Sequence, residues 1–150
     1  MKLMSLTTKD ARRGAAMVEM ALVLPVFLML IMGVIEFGRA MMVSNLVTNA
    51  AREGARMAVL DGSTNTDVQN AVRTFLQGAI SSSLTTGDIG ISITVTPAPG
   101  NPNPANNLAS TSPRDLIAVQ VALPFNKVAL IPGNYLAGKT LTGSSAMRHE

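Results

Sequence analysis

A single carboxylate interrupts an otherwise apolar run. It is Glu19, in Ala15-Ala16-Met17-Val18-Glu19-Met20-Ala21 and onward to Ile35, directly after the basic junction Arg12-Arg13-Gly14. At ~1.5 Å per residue a helix over Ala15–Ile35 reaches ~30 Å, the hydrocarbon thickness of a bilayer. An acid within such a segment costs ~2.5–3.5 kcal/mol unless a cation meets it. Its chemistry is that of an anion seeking a partner on its own helix or a neighbouring one. The other reading of a lone acid four residues inside the span is that Glu19 reaches back to the interface.

Other reactive side chains form no constellation. The one histidine, His149, is penultimate and expected to sit in a frayed tail. Ser81-Ser82-Ser83 has no base at a recognisable spacing, and the remaining carboxylates are scattered singly. Asp88 and Asp115 flank strand patterns, where turn chemistry accounts for them. No metal-ligand cluster or glycine-rich phosphate cradle occurs, so the chain reads as a non-enzyme with no cofactor and no small-molecule substrate. It contains no cysteine, which excludes disulfides, thiolate metal sites and cysteine nucleophiles.

The net charge of +3 resides at the N-terminus. Lys2, Lys9, Arg12 and Arg13 precede the apolar run against Asp10 alone, whereas Arg39, Arg52 and Arg56 are balanced by Glu36, Glu53 and Asp61. This is the positive-inside distribution, with an N-terminus in the cytoplasm and the C-terminal part outside. No basic stripe with interleaved aromatics points to nucleic acid.

The elements that must position these residues follow from period and punctuation. Met1–Gly14 reads as a cytoplasmic leader rather than structure. A helical pattern then runs over residues 15–60 to the stop signal Asp61-Gly62-Ser63, about 45 residues and roughly 65–70 Å long. Pro25 should kink its early part. Glu36 and Arg39 are an i, i+3 pair where the span should leave the membrane, and Arg52, Glu53 and Arg56 a solvated face. Ala50, Gly54 and Ala58 repeat every fourth residue, with Ala51 and Ala55 alongside, a small-residue row suited to close packing. Packing on the chain's own sheet and packing between subunits are both open for that row.

A second, amphipathic helix is carried by Val68, Ala71, Val72, Phe75, Leu76, Ala79 and Ile80, with Thr66 as N-cap and Gly87 as its end. Ile89 to Val95 alternates as a half-buried strand. Residues 97–113 read as a long exposed loop. A second strand runs Leu116–Leu123 and stops at Pro124. After a loop through Pro132-Gly133-Asn134, a weaker third covers Lys139–Met147. The expected fold class is α+β. A long N-terminal transmembrane helix and the second amphipathic helix would pack on a small antiparallel sheet, residues 61–150 forming an extracytoplasmic domain.

The runs Gly14-Ala15-Ala16-Met17-Val18-Glu19, Gly33-Val34-Ile35-Glu36-Phe37-Gly38-Arg39 and Asn49-Ala50-Ala51-Arg52-Glu53-Gly54-Ala55-Arg56 carry a resemblance. Over residues 12–60 the chain is similar to the TadE-like pseudopilins of the tight-adherence (Flp, type IVb) pilus system, and the resemblance implies that the α+β fold is pilin-like. The resemblance implies processing by a prepilin peptidase between Gly14 and Ala15, and an assembly role for Glu19 beside the new amine of Ala15. It places Pro25, Glu36, Arg39, Arg52, Glu53, Gly54 and Arg56 within a helix signature. Met20 departs from the aromatic expected in the major Flp pilin, which favours a minor pseudopilin. Implied partners are the peptidase, other pilins and pseudopilins, and an inner-membrane assembly platform, in a bacterial inner membrane or a surface pilus. The alternative is an uncleaved single-pass anchor bearing an extracytoplasmic binding module.

Overall fold

The structure, a computed structural model, describes residues 8–130 and 136–149. The expected loop through Pro132-Gly133-Asn134 lies outside the described residues. Helix α1 spans Thr8–Ala58 and continues through Pro25 as one element. It therefore starts earlier than the leader reading allowed, because nothing in Thr8–Arg13 breaks a helix and Gly14 alone lowers propensity by ~1 kcal/mol. Ser63 Oγ donates to the Met57 carbonyl at 2.7 Å, and Gly62 takes φ +81 in the turn that follows. That is the stop expected at Asp61-Gly62-Ser63, since a left-handed turn residue ends a helix cheaply as glycine.

Helix α2 spans Asn65–Ala79. Its N-cap is Thr64 rather than Thr66: Thr64 accepts from the Asp67 N–H while Asp67 accepts from the Thr64 N–H, a reciprocal capping box. It also ends at Ala79, well before Gly87, with Ile80 as C-cap. Val68, Val72 and Leu76 form its buried stripe.

Three strands follow: β1 (Gly90–Thr96), β2 (Leu116–Pro124) and β3 (Thr140–Arg148). They make an antiparallel sheet in the order β1-β2-β3. Ile117, Val119, Val121 and Leu123 of the central strand are fully buried, as their alternation required. In register beside them lie Ile91, Ile93 and Val95 on β1 and Leu141, Gly143 and Met147 on β3.

The second half of α1 lies across this inner face against β3 and β2, and α2 packs on α1. Two glycines set those distances. A Cβ on Gly143 would stand 2.7 Å from the backbone N and Cα of Thr48, so strand and helix backbones touch there. A Cβ on Gly54 would meet Val72 Cγ2 at 2.7 Å and Val119 Cγ1 at 3.2 Å, where α1, α2 and β2 converge. Ala50, Ala51, Ala55 and Ala58 are likewise buried inside the chain. The small-residue row thus serves the chain's own core.

The segment 97–113 is pinned rather than loose. Leu108 is buried, and the Asn65 side chain joins α2 to it by accepting from the Leu108 N–H and donating to the Asn106 carbonyl. Asn106 in turn accepts from Val95 N–H, covering part of the β1 edge. Ala105 and Asn106 adopt φ 51 and 62 to make that turn. Polar side chains here replace the absent apolar period as the source of order, which is why the pattern alone suggested an exposed loop.

Candidate assembly surface

Residues 12–35 of α1 stand clear of the domain, exposed apart from half-buried Ile31 and Gly33. Apolar side chains such as Met17, Leu22, Phe27 and Leu30 point outward without cover, and this helix is long and apolar enough to cross a membrane. Such a surface is unstable in water and must be met by lipid or by other apolar helices. Gly14 and Ala15 are exposed and helical, and Glu19 lies one turn on from Ala15, on the same side of the helix. Pro25 sits in the exposed helix beyond them.

The expected Glu36–Arg39 ion pair is not formed. Glu36 is only 1% exposed, and neither carboxylate oxygen has a hydrogen-bond partner. Arg39 turns instead to the domain, its Nε donating to the Val128 carbonyl at 3.3 Å. The reason is phase: Glu36, Ala40, Val43 and Val47 follow at steps of four and three, so Glu36 falls on the stripe that faces the sheet. Arg52, Glu53 and Arg56 are exposed, while Gly54 between them is buried, so that run divides between a solvated face and the core.

Outside α1, the carboxylates that flank strands act locally. Asp115 is fully buried, accepting from Asn101 Nδ2 at 2.7 Å, Ala98 N–H at 2.9 Å and Ser112 N–H at 2.9 Å. Those donors, the Asn101 amide first and the Ser112 and Ala98 amides next, hold its carboxyl below the usual carboxylate range. Asp88 pairs with Lys127 Nζ at 2.8 Å and accepts from Thr85, and the lysine contact leads in holding its carboxyl far below that range.

His149 is not in a frayed tail. It is buried, its N–H donates to the Asp115 carbonyl, its carbonyl accepts from Arg114 N–H, and Nε2 lies 3.5 Å from Asp61. Edge pairing of β3 carries the chain to that point, which a penultimate position in the sequence concealed. Among the described residues no cluster of His, Asp and Glu could hold a metal ion.

The class these observations define is a small α+β domain carried on one long helix whose first half is bare and apolar. Residues 14–56 match the family model of TadE-like proteins, the family that the sequence resembles, and this segment of the chain is TadE-like. The match points to association with a Tad pilus through a membrane-spanning N-terminal helix, within a family whose role is structural pilus assembly. No curated protein and no solved structure matches the chain.

Proposed function

We propose that the chain is a minor pseudopilin, cut by a prepilin peptidase between Gly14 and Ala15, that acts structurally in assembling a tight-adherence pilus for surface attachment. The observation that carries this reading is the uncovered helix of residues 12–35, with Glu19 one turn from Ala15 on its surface. Removal of Met1–Gly14 would leave an ammonium at Ala15, and Glu19 would pair with it on the same or a neighbouring helix. That pairing offsets the cost of a carboxylate in lipid.

Helix-on-helix packing of residues 15–35 would then hold subunits in register as they leave the bilayer. The N-terminus would face the cytoplasm and the domain the outside of the inner membrane. The peptidase, other pilins or pseudopilins and the membrane platform would be its partners.

One observation favours the second reading, an uncleaved anchor for an extracytoplasmic binding module: α1 passes through Gly14–Ala15 without a break, so the bond must unwind before it can be cut. The mass of the chain from cells with and without the peptidase separates the two readings.

A further inference from the structure

Phe37 and Met41 carry the bare apolar surface of α1 past Ile35 to the base of the domain, each more than half exposed. Opposite them stand the 3-10 turn Phe125–Lys127, which follows β2, and Leu141 near the start of β3. Between the two lies an apolar groove of about 300 Å³, bounded by Phe37, Ala40 and Met41 on the helix and by Phe125 and Leu141 across from it. Its far wall is fixed, since Phe125 and Val128 are buried and Lys127 pairs with Asp88 at 2.8 Å. The groove is therefore open without any movement of the domain, at the lower end of the ~300–1,000 Å³ of small-molecule sites.

Depth decides what meets it. Phe37 and Met41 are two and six residues past Ile35, ~3 and ~9 Å along the axis, and the headgroup layer extends ~5–7 Å beyond the hydrocarbon. With the span ending at Ile35, the groove opens at the headgroups and the first carbons of their chains. Leu130, just after the turn, is also exposed and extends the same apolar base. Bare apolar surface continuous with a membrane-crossing helix is covered by lipid.

Charge selects among lipids. Lys139 lines the groove, is exposed, and has no acidic partner among the described residues. A lysine so placed lays its methylenes on apolar surface and keeps its ammonium at the headgroups. Arg39, held to the Val128 carbonyl at this end of the domain, adds a second cation. Asp88 is taken up by Lys127 and Glu36 is buried, so the accessible charge at the base is positive.

We propose that this groove is a lipid site: it holds the upper part of one acyl chain of an anionic phospholipid, whose phosphate meets Lys139. The lipid seats the base of the domain on the membrane and fixes how the domain stands on its helix. The site needs only the membrane-spanning helix, so it and leader cleavage stand or fall separately.

Lipid quenching on the full chain in nanodiscs tests it. The chain has no cysteine, so Met41→Cys and Met42→Cys each carry a single bimane label. The two positions are neighbours at nearly one depth and both are exposed, but only Met41 lines the groove. The nanodiscs are phosphatidylcholine in which an equal small fraction of either phosphatidylglycerol or phosphatidylcholine carries bromine on its upper chain carbons. At Met41 the brominated phosphatidylglycerol should quench at least about twofold more than the brominated phosphatidylcholine, and at Met42 the two should quench alike. Lys139→Gln, conservative at an exposed site, should abolish the preference at Met41. Equal quenching by the two lipids at Met41, the same preference at Met42, or a preference that survives Lys139→Gln overturns the site. Protection of Met41 from both lipids also overturns it, and is the result expected if a second protein helix fills the groove instead.

Discussion

Gly143 on β3 and Thr48 on α1 meet backbone to backbone, with room for a hydrogen but not for a methyl group. The contact sets the distance at which the long helix lies across the sheet, and so the direction in which the bare half of α1 leaves the domain. Gly143→Ala should destabilise the domain by roughly 1–3 kcal/mol or more, since rigid backbone on the other side cannot yield. Chemical denaturation followed by circular dichroism measures it.

Gly54→Ala should cost less than Gly143→Ala, because its added methyl meets the ends of Val72 and Val119 side chains rather than a backbone. Gly78, exposed on α2 with nothing within 4 Å, is the control. Gly78→Ala should raise stability by up to ~1 kcal/mol through helix propensity alone. The order of the three denaturation midpoints checks the packing assignment.

Thr64→Ala should lose the capping box and lower stability by ~0.5–2 kcal/mol, whereas Thr66→Ala, inside the helix and exposed, should be close to neutral. Thermal unfolding of the two variants side by side distinguishes the caps.

Acid should weaken the domain through Asp115 and Asp88. Both carboxyls are held below their ordinary value of 3.8 in the folded chain, so each contributes stability that is present above that value and is lost as pH falls through the lower folded one. The melting temperature should hold from neutral pH down to about 5 and fall below about 4. Asp115→Asn should be less stable at neutral pH and show a flatter decline, since an amide nitrogen would face the Ser112 N–H in place of an acceptor.

Much of this fold was legible because burial and period coincide. Ile117, Val119, Val121 and Leu123 alternate in sequence and are all buried, and Asp61-Gly62-Ser63 marks the turn after α1. The third strand read as weak for a structural reason: Gly143 and Ser145 face inward beneath a helix, so bulky residues are excluded where they would normally announce a strand. The pinned segment 97–113 was not legible, because Asn65, Asn101 and Asn106 order it through bonds to residues distant in the chain.

Glu36 is the intermediate case. Its i, i+3 spacing to Arg39 suggested an ion pair, while its phase with Ala40 and Val43 already set it on the buried face. Burial won because the stripe is fixed by the whole helix and the pair by only two side chains.

Glu19→Ala should leave the leader removed at close to the normal rate and reduce pili on the cell surface, as counted by electron microscopy. The acid is placed to meet the amine of Ala15, which exists only after the cut. Normal piliation in this variant would take Glu19 out of the assembly step.

The bond between Gly14 and Ala15 tests the central claim most directly. Intact-protein mass spectrometry of the chain from its native host, with the prepilin peptidase present and deleted, should show a product beginning at Ala15 only when the peptidase is there. A full-length chain in both strains would contradict the pseudopilin reading and leave a permanent membrane anchor.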